Sequence, residues 1–141
     1  MKKYVILCLM LLIAAVSISS VCGIDIDNPI VDGLNSTSDL NQGFEHSKIN
    51  HNSVMLIFDQ EGCYYCDLLK SDVLSDKDVQ DYLNENYNVV FVDVNEQYDI
   101  AAELHVMGTP TCVILDSNGH EIGRIDGYMS SDEFLDELRE I

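Results

Sequence analysis

Positive charge is what this chain has least of. Seven Lys and Arg face 25 Asp and Glu, a formal net charge of −18 over 141 residues. Such a surface repels nucleic acid and anionic lipid, and it favours basic partners if any. No nucleic-acid partner is expected. Trp is absent, and no internal repeat is visible, which sets aside solenoids and propellers. Cysteine is scarce as well, with five in all. Cys8 and Cys22 belong to an N-terminal stretch of a different kind, leaving Cys63, Cys66 and Cys112. That is too few for a disulfide scaffold, and the odd number leaves one thiol unpaired within the monomer. Cys63 and Cys66 lack the second clustered ligand pair that structural zinc usually needs. His46, His51, His105 and His120 are scattered and read as surface residues, with only His105 near the active end of the sheet. No metal site and no cofactor are expected.

Long apolar runs are confined to the start. Lys2 and Lys3 form a basic beginning, Val5 to Val16 carries no polar side chain, and Ser17, Ser19 and Ser20 precede Val21-Cys22-Gly23. This three-part pattern predicts a signal peptide over 1–23. The uncharged run is also about as long as the roughly 20 residues that span a bilayer, so residues 4–23 leave a retained membrane tether as the alternative, with the serines at the end of the run favouring cleavage. Either reading places the domain outside the cytoplasm, where disulfides persist. Without Met1–Gly23 the chain keeps 5 basic and 25 acidic residues, a formal charge of 5 − 25 = −20. Residues 24–42 are rich in Asp, Asn, Ser and Gly with isolated aliphatics, and read as a flexible linker. Asn35-Ser36-Thr37 within it is a glycosylation pattern.

A folded domain is predicted over 43–141. Phe44–Asn50 reads as a short helix. Val54–Phe58 is an apolar run too short for a helix and reads as a strand buried on both faces. A helix follows over about Cys63–Lys70. Another starts at Ser75-Asp76 and runs to Asn86, with Val79, Tyr82 and Leu83 on one face. Val89–Val94 is a second buried strand, and Ile100, Ala101 and Leu104 mark a further helix. Cys112–Leu115 and Glu121–Ile125 form a hairpin across Ser117-Asn118-Gly119. Ser130 and Glu133 make a capping box for a last helix that turns Phe134, Leu135, Leu138 and Ile141 to the core. The order predicts an α/β fold with a central mixed sheet of about four strands and helices on both faces.

The chemistry sits at Cys63-Tyr64-Tyr65-Cys66, directly after a buried strand and at the start of a helix. Residues i and i+3 of a helix share a face, so the two sulfurs can close a small ring. The first sulfur lies beside free backbone N–H groups at the positive end of the helix dipole, which favours the nucleophilic thiolate. Cys63 is therefore the expected attacking thiol and Cys66 the resolving one. Tyr64 and Tyr65 would form an aromatic rim able to pack against an unfolded peptide. Cys112 falls inside an apolar run and reads as a buried, inert thiol. Gly108-Thr109-Pro110-Thr111 opens the third strand, one of the few positions where a sheet admits Pro.

From Val54 to Ile141 these features resemble thioredoxins: a strand, a CxxC helix, a Gly-x-Pro-Thr segment, a hairpin closed at Asn118-Gly119 and a terminal helix. Cys63-x-Tyr65-Cys66-Asp67-x-Leu69, the helix opening Ser75-Asp76, and Gly119 through Gly127-Tyr128 look closer to periplasmic thioredoxin-like proteins of the SoxW type. They also resemble the C-terminal domain of the bacterial transmembrane reductase that feeds electrons to the periplasm. The resemblance implies a thiol:disulfide oxidoreductase acting on protein or peptide disulfides with an upstream redox partner. It also implies a cis Pro110 against the Cys pair and Thr109 backbone groups that bind extended substrate.

The departures are informative. Gly62 stands where thioredoxins carry Trp, Tyr64-Tyr65 replaces Gly-Pro, Asp67 replaces Lys, and Ile57 replaces a buried Asp that moves the resolving proton. Asp59 and Glu61 are near in sequence but read as solvated loop acids. Asp59, Glu61 and Asp67 together oppose a thiolate at Cys63, with Lys70 too far to reverse that, and this favours a reductase or isomerase over a disulfide donor. Two other classes are set against this reading: copper binding by the same two thiols, and a non-catalytic interaction domain on the same scaffold.

Overall fold

A computed structural model describes residues 30–141. The signal or anchor segment and the first part of the expected linker lie outside the described residues. Five strands form one sheet: β1 (Ser36–Thr37), β2 (Ser53–Asp59), β3 (Tyr87–Asp93), β4 (Thr111–Leu115) and β5 (Glu121–Asp126). Their order is β1-β3-β2-β4-β5. β1 and β2 flank β3 in parallel, while β4 is antiparallel to both β2 and β5.

The continuous apolar runs occupy the sheet centre, because both faces there are covered. Met55 and Ile57 pack on one side with Phe91, Cys112, Leu69, Val73, Leu83 and Phe134. Val54, Leu56 and Phe58 pack on the other with Val90, Val92 and Val113, beneath Phe44 and Ile100. The helices on the first side are α2 (Tyr64–Leu68), α3 (Lys77–Asn86) and α5 (Ser131–Glu140); those on the second are α1 (Leu40–Asn50) and α4 (Tyr98–Glu103). Gly43 lets α1 lie close on β3, since a β-carbon there would collide with Val90 Cγ2.

The linker and Ile141 differ from expectation. The linker 24–42 does not extend to its predicted end. Val31 and Leu34 are buried in the first core cluster, β1 pairs with β3, and α1 begins at Leu40. Side chains of α3 pin this strap: Gln80 Nε2 donates to the Asp32 carbonyl at 2.7 Å, and Asn84 Oδ1 accepts from the Asn35 N–H at 2.8 Å. The sheet accordingly has a short fifth strand. The cap of α3 is Asp76, which accepts from the N–H groups of Asp78 and Val79, while Ser75 Oγ donates backward to the Lys70 carbonyl. Ile141 is exposed, although it lies against Gly123.

Candidate active site

β2 delivers the chain to the sheet end at Asp59, and a turn through Gln60, Glu61 and Gly62 leads into α2. Gly62 has φ +76°, a left-handed conformation that L side chains rarely adopt. That is a local reason for Gly, rather than a bulky aromatic, just before Cys63. Cys63 has extended backbone (φ −83°, ψ 101°) and is the N-cap of α2. The helix continues past Leu68 into a π-helical turn, Leu69–Val73.

Cys63 and Cys66 are joined as a disulfide, with Cα atoms 5.2 Å apart. Cys63 Sγ is the more accessible sulfur, since Cys66 is fully buried beneath it. Two donors converge on Cys63 Sγ: the Cys66 N–H at 3.2 Å and the Thr109 hydroxyl at 3.4 Å. The Thr109 carbonyl oxygen lies 3.6 Å from the same sulfur, a contact that becomes a hydrogen bond only when Cys63 carries a proton. Donors to a sulfur stabilise its thiolate. The Thr109–Pro110 peptide bond is cis, and the Pro110 carbonyl accepts from the Gly127 N–H at 2.9 Å. Thus the pair is held between the start of α2 and the loop that opens β4.

The acids around this pair are not alike. Glu61 and Asp67 are exposed, as expected of solvated residues. Asp59 is not a solvated loop acid: its side chain is 13% exposed and ion-paired with Lys70. Lys70 reaches it from the π turn, its ammonium 5.7 Å from the centre of the Phe91 ring. Of the three acids near Cys63 in sequence, Glu61 and Asp67 are exposed and Asp59 is paired with Lys70.

Cys112 is buried in β4 opposite Ile57, and burial, aided by Asp126, pushes its thiol up to about 12. Tyr64 and Tyr65 are both exposed. A residue not singled out as a site from sequence joins them. Tyr128, in the segment leaving β5, stacks on Tyr65, and its hydroxyl donates to Asp72 at 3.4 Å. No short-range signal marks this group, because its members come from positions 64, 65, 72 and 128. A groove of about 380 Å³ is lined by Pro110 together with His105, Met107, Thr109, Arg124 and Asp126. Among the described residues no three His, Cys, Asp or Glu side chains are grouped as a metal site.

The family model of the thioredoxin-like domain matches residues 40–141. The chain belongs to the thioredoxin-like family. It is 31% identical over 111 residues to the thiol:disulfide interchange protein DsbD of Campylobacter jejuni, covering 76% of this chain but 19% of that relative's length. It is 40% identical over 67 residues to the thioredoxin-like protein YosR of Bacillus subtilis, covering 45% of this chain and 82% of YosR. Among solved structures, a thioredoxin from Thermus thermophilus superposes with a TM-score of 0.69 at 32% identity, over 77% of this chain and 86% of that one. The C-terminal domain of DsbD from Neisseria meningitidis superposes with a TM-score of 0.61 at 20% identity, over 74% of this chain and 97% of the domain, a likeness of fold alone. The Cys63–Cys66 disulfide is of the redox type that disulfide oxidoreductases of this family carry.

Proposed function

We propose that the chain is an extracytoplasmic thiol:disulfide oxidoreductase that reduces or reshuffles protein disulfides through Cys63 and Cys66. The observation that carries this reading is the pair of donors on Cys63 Sγ, from the Cys66 N–H and the Thr109 hydroxyl, above a buried Cys66. In the reduced protein, the Cys63 thiolate attacks one sulfur of a substrate disulfide, and the other substrate sulfur leaves as a thiolate that takes up a proton. Cys66 then loses its proton and attacks Cys63 Sγ, closing the internal disulfide and releasing the second substrate thiol. Two electrons pass to the substrate, and an upstream thiol donor must restore the pair. Thr109 and Pro110 form the shelf for extended substrate beside Cys63, with Tyr64 and Tyr65 as its aromatic rim.

The reducing or isomerising direction rests on Glu61 and Asp67, exposed acids close in sequence to Cys63, since negative charge nearby disfavours a thiolate. The location rests on the N-terminal sequence pattern, as a cleaved signal or as a tether through residues 4–23. A trapping experiment tests the mechanism. Reduced Cys66→Ala, mixed with a peptide disulfide, should accumulate a mixed disulfide at Cys63, whereas Cys63→Ala should form none. Capture at Cys112, or no capture by either variant, would overturn the assignment. Copper binding by the same thiols would instead show as metal-dependent protection of both cysteines from alkylation.

A further inference from the structure

The rim of the site is aromatic, and among the described residues no basic side chain is unpaired beside it. Tyr64 and Tyr65 are 68% and 57% exposed. Tyr64 meets Tyr65 edge-on at 5.4 Å, and Tyr65 stacks on Tyr128 at 6.2 Å with ring planes 29° apart. The three rings form one continuous shelf rather than scattered surface tyrosines. Gly127, bonded to the Pro110 carbonyl, carries the shelf's outer member, so shelf and Cys63 are built on the same loops. At the outer edge the Asp72 carboxylate accepts from the Tyr128 and Ser71 hydroxyls, and among the described residues it has no cationic partner.

The basic side chains of the described residues are already paired. Lys70 is held by Asp59, Arg124 by Glu121, Lys48 by Glu45, Lys77 by Asp81 and Arg139 by Asp136. Arg124 is further engaged by the Leu104 carbonyl. Among the described residues no basic side chain is left to complement an exposed aromatic face with a carboxylate at its edge, so the group suited to it is a cation carried by another molecule.

We infer that the Tyr65–Tyr128 shelf with Asp72 is a docking subsite selecting disulfide substrates that carry Arg or Lys within a few residues of the reacting cysteine. A guanidinium laid on the stacked rings would meet their negative faces and reach the Asp72 carboxylate at the edge. Arg gains more than Lys, because its planar group stacks and donates at once. The inference rests on the oxidoreductase reading and names its substrate class.

The test uses the reduced full chain and synthetic peptides, each with one internal disulfide, flanked by Arg, Gln or Glu, with a Leu-flanked peptide as the apolar control. In single turnover the protein dithiol becomes a disulfide as the peptide disulfide becomes a dithiol. The Arg peptide should react about tenfold faster than the Gln peptide at low salt, with the Glu peptide slowest. The Arg advantage should shrink to about twofold or less in Asp72→Asn combined with Tyr128→Leu. Equal rates for the Arg, Gln and Glu peptides would overturn the docking proposal and leave the oxidoreductase reading intact. An Arg advantage that survives the double variant, or an equal gain from a Leu-flanked peptide, would also overturn it. Failure of every peptide to react would remove the oxidoreductase reading itself, and the subsite with it.

Discussion

Cys63 and Cys112 belong to the same small domain, yet the fold gives the two sulfurs opposite environments. Cys112 sits in the middle of β4 with apolar neighbours on its side of the sheet, and its thiol is pushed up to about 12. Cys63 stands at a strand-to-helix junction, partly open, with an N–H and a hydroxyl aimed at its sulfur. A thiol is reactive here because of where the backbone ends, not because of its identity. Buried in a strand, the same atom becomes a small hydrophobe.

The largest effect that separates the two regions is loss of chemistry. Cys63→Ser should abolish peptide-disulfide reduction, while Cys112→Ala should leave the rate within about twofold. A Cys112→Ala variant that loses activity while keeping its fold would break the contrast. A second test concerns the frame behind the site. Lys70→Met leaves the mostly buried Asp59 without its cation and should lower unfolding stability by about 1–3 kcal/mol in urea titration. An unchanged midpoint would show that this ion pair contributes nothing.

Smaller effects sharpen the comparison. Thr109→Val removes one donor to Cys63 Sγ and should raise that thiol's pKa, slowing alkylation near neutral pH by up to about tenfold. The thiol-alkylation rate of the reduced protein as a function of pH reads this directly. Cys112 supplies the mirror-image prediction. Its folded pKa lies above its unfolded one, so both states hold the proton below about pH 9, and stability falls as pH rises between about 9 and about 12. Cys112→Ala should flatten that alkaline loss in thermal unfolding of the oxidised protein. Equal alkaline sensitivity in the two proteins would contradict burial as the cause.

What was legible in the sequence follows the range of the interactions. Val54–Phe58 and Val89–Val94 announce central strands because both faces of the sheet need apolar side chains; the observed β2 contains the first, and β3 covers the second as far as Asp93. The capping box of Ser130 and Glu133 is a local signal, and it is present at α5. The strap over 30–37 was not legible. Its two anchoring aliphatics, Val31 and Leu34, stand singly among polar residues, and its hydrogen bonds go to Gln80 and Asn84. At the site, Cys63, Cys66 and the Thr109–Pro110 segment could be read from local motifs. The Asp59–Lys70 pair and the Tyr65–Tyr128 stack could not, because tertiary packing alone joins residues 11 and 63 positions apart.

The most direct measurement is the redox equilibrium of the full chain in graded thiol/disulfide buffers, with each cysteine's alkylation state read by mass spectrometry. Cys63 and Cys66 should titrate together as one reversible two-electron couple, nearer thioredoxin's value of about −270 mV than the strong oxidant's value of about −120 mV. Cys112 should stay reduced and unmodified in the folded protein throughout. A Cys112 that exchanges in step with Cys63, or the absence of a reversible couple between Cys63 and Cys66, would contradict the account.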